Sequence, residues 1–298
     1  MSKRQKREIN AWLRAMLFVA PALTFYIMFS TIPIINTIQI SFHEWNGSTQ
    51  YMEYIGLSNY RDVLSDPTFF KALSHNIYWL LFSVFIPVFL GLILAVMLRQ
   101  RFVRGRLLFR VTYYMPAVVS LVAVGIVWGW MYNPSFGVIN RTLNTVGLSS
   151  LTRSWLGDER TALNSLLVAG SWTYYGFCMV IFFAALSGID EAYKEVALIE
   201  GANPIQTFFY VTLPLLRNTV TLLVINTMIG AFRVFDIVYI MTKGGPYRST
   251  EVLSTYMFST AFDLNQVGKG ASISVILLVL VSIFTGVYLH IAEKGDAR

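Results

Sequence analysis

Apolar residues run through this chain in six long blocks, separated by stretches richer in charge, glycine and proline. A helix crosses the hydrocarbon core of a bilayer with about 20 mostly apolar residues. Six segments reach that length: 15–38, 77–98, 111–132, 163–186, 219–241 and 271–291. The pattern predicts an all-α membrane protein with six transmembrane helices. Pro87 and Pro116 lie inside the second and third spans and need not break them, and the fifth span reads as one helix. Trp128, Trp130, Tyr132 and Tyr239 gather near span ends, as an interfacial aromatic belt does. No stretch outside the blocks is long enough to fold alone, so residues 1–298 read as a single membrane domain.

An even number of spans puts both termini on one side, and lysine and arginine choose which. Lys3, Arg4, Lys6, Arg7 and Arg14 precede the first span. Arg99, Arg101, Arg104, Arg106 and Arg110 crowd the short link between spans two and three. Lys194, Arg217, Lys294 and Arg298 fall on the same side. The opposite loops are longer and spread out Arg61, Lys71, Arg141, Arg153, Arg160, Lys243, Arg248 and Lys269. Both termini are therefore expected in the cytoplasm. The opening stretch looks superficially like a secretory signal, but its apolar run is too long and no small-residue cleavage site follows. It reads as a retained first helix.

Composition sharpens this picture. Of the residues, 55% are hydrophobic and 13% charged, against about 25% charged in a soluble domain. The net charge of +7 then reports membrane topology, and nucleic acid is not expected as a partner. The single cysteine, Cys178, lies within a span and has no partner for an internal disulfide. The chain has no G-x-x-x-x-G-K-[ST] phosphate loop, dinucleotide fingerprint or H-E-x-x-H zinc pair. Nucleotide chemistry has to come from another polypeptide, and no cofactor or metal is expected in this one.

One polar island stands out, residues 187–218, containing EVALIEGANPIQTFFYVTLP. Asp190 suits an N-cap, and Glu191 puts negative charge at the positive end of a helix over 191–200. Gly201 tolerates the left-handed conformation that ends helices. Asn203, Pro204 and Gln206 then make a capping-box start for a second helix, which Pro214 halts. The island is predicted to be a helix, a tight turn and a helix. Asp190, Glu191, Glu195 and Glu200 outnumber Lys194 and Arg217, whereas a helix lying on anionic lipid would be basic on its polar face. The acidic hairpin therefore reads as a rigid knob for a soluble partner, the alternative being a helix pair lying on the bilayer.

The spacing Glu195-Val196-Ala197, three residues, Gly201, nine residues, Val211-x-Leu213-Pro214 resembles the EAA signature of permease subunits of binding-protein-dependent ABC importers. Val196 stands in place of an alanine and Val211 in place of an isoleucine. FHEWNG, YIGLSNYRDVL and FDIVYIMTKGGPYRSTEVLSTYMFSTAF extend the likeness over nearly the whole chain, toward the carbohydrate-uptake (maltose-type) branch and its compact six-helix members. The resemblance implies a type I ABC importer permease fold in a bacterial inner membrane. It implies a second permease subunit, most naturally a different chain, two ATPase subunits that bind ATP and Mg, and an external solute-binding protein. It makes Glu195, Val196, Ala197, Gly201, Ala202, Asn203, Pro204, Leu213 and Pro214 the ATPase-coupling element. The external loops 42–71 and 242–268, with Trp45, Tyr51, Tyr54, Tyr60 and Tyr247, are expected to receive the binding protein or to anchor at the interface.

Charged residues inside a span are costly and face a cavity or a partner. Arg233 and Asp236 are the two such residues, three apart on neighbouring positions of one helix surface in span five. Asn226 lies two turns earlier on that face, with Gly230 between. This stripe is the candidate substrate path, the alternative being a local ion pair between helices. Trp172, Tyr174 and Tyr175 in span four offer aromatic rings with polar tips for the C–H faces and hydroxyl edges of a sugar, and equally suit helix packing. Sugar contacts in the maltose-type relatives correspond to Gly170, Tyr174, Phe177, Gly230, Ala231 and Val234. Several of these lack the polar side chains used there, so maltose itself does not carry over.

Two other classes fit less well. A secondary transporter would show inverted repeats and interrupted helices near the midplane. An intramembrane serine protease would use residues such as Ser187 and His290, but both lie at cytoplasmic span ends, and ALSGID replaces the G-x-S-G context.

Overall fold

The computed structural model describes residues 3–48, 50–100 and 103–296. Arg101 and Arg298 of the basic set lie outside them, as do the side chains of Lys3, Arg4, Lys6, Arg7 and Arg14. The chain divides into two compact units.

The first unit comprises Met1–Ser65 and Met257–Ile276. Helix α1 (Lys3–Tyr26) passes through a wider π-type turn, Ile27–Thr31, into α2 (Ile32–Ile40). Pro33 is tolerated in the first turn of α2 because the N–H it lacks there is dispensable. A hairpin of β1 (His43–Glu44) and β2 (Glu53–Tyr54) follows, with His43 opposite Tyr54. Helix α3 (Ser58–Ser65) is tied to it by buried Asn59, whose amide donates to the Ser41 and His43 carbonyls at 3.0 and 2.9 Å.

The second unit comprises Asp66–Tyr256 and Leu277–Arg298. Helix α4 (Pro67–Ser83) starts where Asp66 accepts from the Thr68 N–H at 2.8 Å. It continues through a π-type turn holding Pro87 into α5 (Phe89–Arg99). The second span is thus a 33-residue run, Pro67–Arg99, which begins ahead of its apolar block. Helix α6 (Arg106–Tyr114) leads through a 3₁₀ turn, Met115–Val118, to α7 (Leu121–Met131). The expected straight third span is corrected here, because α6 and α7 are bent by 96°. Pro116 tightens the turn, and Val119 and Ser120 then leave helical geometry.

After α8 (Val138–Thr145), the long α9 (Ala162–Ser187) forms the centre of the unit. Val88, Leu92, Ala95 and Leu98 pack with Met179, Phe182 and Leu186 of α9 and with Leu223. Gly91 permits this approach, since a Cβ there would lie 2.6 Å from the Cys178 Cβ. Between helices in lipid, such close van der Waals fit is the main attraction. Next come α10 (Ala192–Ile199), α11 (Pro204–Thr207), α12 (Leu213–Leu215), α13 (Arg217–Arg233), α14 (Asp236–Met241), α15 (Leu253–Phe258) and α16 (Val267–Asp296). A second buried cluster joins Trp79, Val124, Leu166, Leu167, Ala231 and Val238.

Among the described residues, four runs are long and apolar enough to cross a bilayer: Met16–Ile40, Pro67–Arg99, Ala162–Ser187 and Val267–Ala292. Counting each bent pair as one span gives up to 6. Span five is the second correction. It ends at Arg233 and does not run to 241 as one helix, because Val234 (φ −59°, ψ 122°) and Phe235 (φ −138°, ψ −61°) interrupt it. The stretch 242–268, expected as loop, contains α15 and a π-type turn over Ser259–Asp263.

Candidate functional site

The hairpin forms at 187–218 much as its local chemistry dictates. Asp190 accepts from the Ala192 N–H at 3.0 Å, so α10 starts one residue later than expected. At its far end, the Ala202 N–H reaches the Ala197 carbonyl at 2.9 Å and the Gly201 N–H reaches Leu198 at 3.1 Å. These are the paired bonds of a Schellman turn, and Gly201 supplies its left-handed residue (φ +81°). Ala197, 8% exposed, is buried in the turn, while Glu195, Val196 and Ile199 point outward. Asn203 and Gln206 exchange two bonds of 2.9 Å, completing the capping box with Pro204 in the first turn.

Pro214 does not halt the second helix. The chain widens into a π-type turn, Phe208–Thr212, and carries Leu213 and Pro214 into α12. The break comes at Leu216, with a 66° bend between Pro204–Leu215 and Arg217–Arg233. A proline at the start of α12 only removes a hydrogen bond that the π turn has already given up.

The foot of the hairpin is held by residues that the sequence flagged only as topology signals. Arg99 donates to the Leu186 carbonyl and pairs with Glu191, which Lys194 also meets at 3.3 Å. Partial desolvation of the Glu191 carboxyl is outweighed by Lys194 and Arg99, which hold its pKa below the usual range. Arg110 lies 4.5 Å over the Phe183 ring, and Arg217 donates to the Ala292 carbonyl at 2.7 Å. At the opposite end of α4, Lys71 reaches the Tyr247 carbonyl at 3.0 Å, and Arg248 reaches the Thr68 hydroxyl at 2.7 Å.

The polar stripe of span five is only partly as expected. Asn226, Gly230 and Arg233 all lie on an exposed face of α13. A 520 Å³ hollow beside it is lined by Asn218, Thr221, Leu222, Ile225, Asn226 and Ile229. Asp236 does not continue the surface, because it opens α14 beyond the break. Among the described residues no ion pair joins it to Arg233. The aromatic residues of span four are engaged with protein. The Tyr174 hydroxyl meets the Thr227 hydroxyl at 3.0 Å and its ring stacks on Phe177, while Trp172 meets Trp128 edge-on at 6.0 Å. Gly170 lies against Trp79.

Two side chains from elsewhere take carbonyls at the end of α13. The amide of Asn76 in α4 donates to the Ala231 carbonyl at 2.7 Å and accepts from the Leu253 N–H at 2.8 Å. The Ser254 hydroxyl donates to the Phe232 carbonyl at 3.3 Å. Asn76 passed unnoticed because it lies at the edge of an apolar block, where a lone amide carries no local signal.

The sequence pattern of the family described as "Binding-protein-dependent transport system inner membrane component" matches residues 87–294. The chain belongs to this family. It is an ABC importer permease subunit and a multi-pass membrane protein. The permease is 35% identical over 265 residues to the probable ABC transporter permease protein YurN of Bacillus subtilis, covering 89% of this chain and 90% of that one. It is 34% identical to the trehalose/maltose transport system permease protein MalF of Thermococcus litoralis, covering 93% and 92%. A chain of a bacterial ABC transporter that imports the acidic polysaccharide alginate superposes with a TM-score of 0.86 at 20% identity, covering 98% and 99%. That likeness establishes the fold.

Proposed function

We propose that this permease moves a sugar or sugar derivative into the cytoplasm by alternating access. An external solute-binding protein delivers the solute, and two ATPase subunits, which bind ATP and Mg, supply the energy. A second, different permease chain completes the pore. The named relatives support the substrate class: one is a trehalose/maltose permease and another serves arabinooligosaccharides in Halalkalibacterium halodurans. An alginate transporter of the same fold, in complex with a pentasaccharide-bound periplasmic protein, supports the kind of external partner. The arginine-rich end of the second unit is cytoplasmic by the positive-inside tendency.

The observation that carries the reading is the doubly capped hairpin at 187–218. A lever must be stiff to transmit motion, and here both helix ends that form the turn are capped, one by the Schellman pair and the other by the capping box. Glu195 offers an outward carboxylate, and Val196 and Ile199 an apolar grip, to a cleft in the ATPase. Asn226, Gly230 and Arg233 line the solute path on the open face of α13, and Tyr174, bonded to Thr227 and stacked on Phe177, braces that helix from behind. The test is reconstitution into liposomes with the ATPase and binding proteins, followed by uptake of a panel of labelled mono- and oligosaccharides. Uptake that needs both partners and ATP is expected. Uptake by the permease alone, driven by an ion gradient, would establish a secondary transporter instead.

A further inference from the structure

Span five breaks where its own sequence holds no breaker. Arg233-Val234-Phe235-Asp236 contains neither glycine nor proline, the residues that usually end or kink a helix. If α13 ran on, the Ala231 carbonyl would accept from the Phe235 N–H and the Phe232 carbonyl from the Asp236 N–H, four residues on in each case. In the structure those carbonyls accept from Asn76 and Ser254 instead. The last carbonyls of a helix need partners, and here the partners come from residues remote in sequence.

Asn76 is suited to this task and costly for any other. It is 0% exposed, and a buried amide is tolerated only when its hydrogen-bonding groups are engaged. Its NH₂ serves the end of α13 and its oxygen serves the start of α15, so one short side chain joins three helices. The partners also fix which way the amide points, because a carbonyl can only accept and an N–H can only donate. Trp79, one turn further along α4, packs in the same buried cluster as Ala231 and Val252.

We infer that Asn76 is a positioning residue of the transport cycle: it holds span five open at Val234–Phe235 and thereby fixes the exposed Gly230–Arg233 turn. Its functional consequence rests on the proposed solute path, but its effect on the break does not. Leucine branches at Cγ as asparagine does and has no hydrogen-bonding group, so Asn76→Leu removes the amide, while Asn76→Gln, which also adds bulk at this buried site, controls for the added volume.

The full chain, in lipid nanodiscs, is compared by local hydrogen exchange. Asn76→Leu is expected to speed exchange in 231–236 and 251–256 by about tenfold, the scale of a lost buried hydrogen bond. Segment 192–199 should be unaffected. Ser254→Ala, the gentler variant, should act on 231–236 alone and by less. Asn76→Gln, which retains donor and acceptor, should recover part of the protection. Unchanged exchange, or a rise everywhere including 192–199, would overturn the inference. A second readout uses a membrane-impermeant maleimide on Arg233→Cys in the transporter assembled with its ATPase. Labelling that changes between nucleotide-free and ATP-bound states is expected, and Asn76→Leu should flatten that change while hydrolysis persists. If exchange responds as expected but labelling never changes in the otherwise native chain, the solute path fails and the positioning role stands.

Discussion

The hairpin at 187–218 and the interruption at Val234–Phe235 both set polar backbone into an apolar chain, but they do so by opposite means. The hairpin's caps and turn are closed locally: Asp190, Gly201, Asn203 and Gln206 satisfy backbone groups within a few residues. The interruption depends on Asn76 and Ser254, far away in sequence. A locally closed unit can move as one piece, as a lever must. A distantly held break stays put only while the helices around it do, which suits a place where the solute path changes.

The largest effect that would test the comparison is at Gly201. Its φ of +81° disfavours a β-branched side chain by about 1–2 kcal/mol, and the position is otherwise open, with nothing within 4 Å of an added Cβ. Gly201→Val should therefore bend the turn without unfolding the spans. Uptake by the reconstituted transporter should fall at least about tenfold at normal membrane levels, and normal uptake would break the lever account. Next in size is the capping box. Asn203→Ala should cost about 1 kcal/mol of local helix stability, read as faster exchange over 203–207. Combining it with Gln206→Ala should add little, because the two share one motif.

A smaller effect sharpens the other side. Arg233 and Asp236 sit on different helices without an ion pair, so Arg233→Gln and Asp236→Asn should have additive effects on thermal stability within about 0.5 kcal/mol. Strong coupling would restore the single-helix reading. Arg233→Gln alone should change uptake more than stability.

The smallest is a pH effect at Glu251, beside the loop that Asn76 anchors. Burial pushes the Glu251 carboxyl up, against the hydrogen bond from Thr255 and the charges of Arg248 and Lys71. A carboxyl raised in the folded state is stabilised by its proton, so this contribution is full below the ordinary carboxylate range and fades as pH rises through the folded value. Glu251→Gln should remove that part of the decline in thermal midpoint between acidic and neutral pH. An unchanged pH profile would show that the group does not titrate differently on folding.

The same contrast explains what the sequence made legible. Four of the span positions followed from apolar length, and the hairpin followed from caps whose partners lie two to five residues apart. Pro116 and Pro214 misled in opposite directions. The first sits where the helix tightens and bends by 96°, while the second is absorbed because the preceding π turn had already released its carbonyl. The break after Arg233 left no local trace, since its cause lies on α4. Arg99 was visible as a charge, but its role beneath the hairpin depends on Leu186 and Glu191 coming to it through the packing of α5 on α9.

Site-directed crosslinking at the tip of the hairpin tests the central claim most directly. In native membranes, Glu195→Cys or Ala202→Cys, labelled with a maleimide-linked benzophenone and irradiated, should yield one adduct with a nucleotide-hydrolysing subunit and resist a membrane-impermeant label added from outside. Adducts that never contain such a subunit, or labelling of either position from the external face, would contradict it.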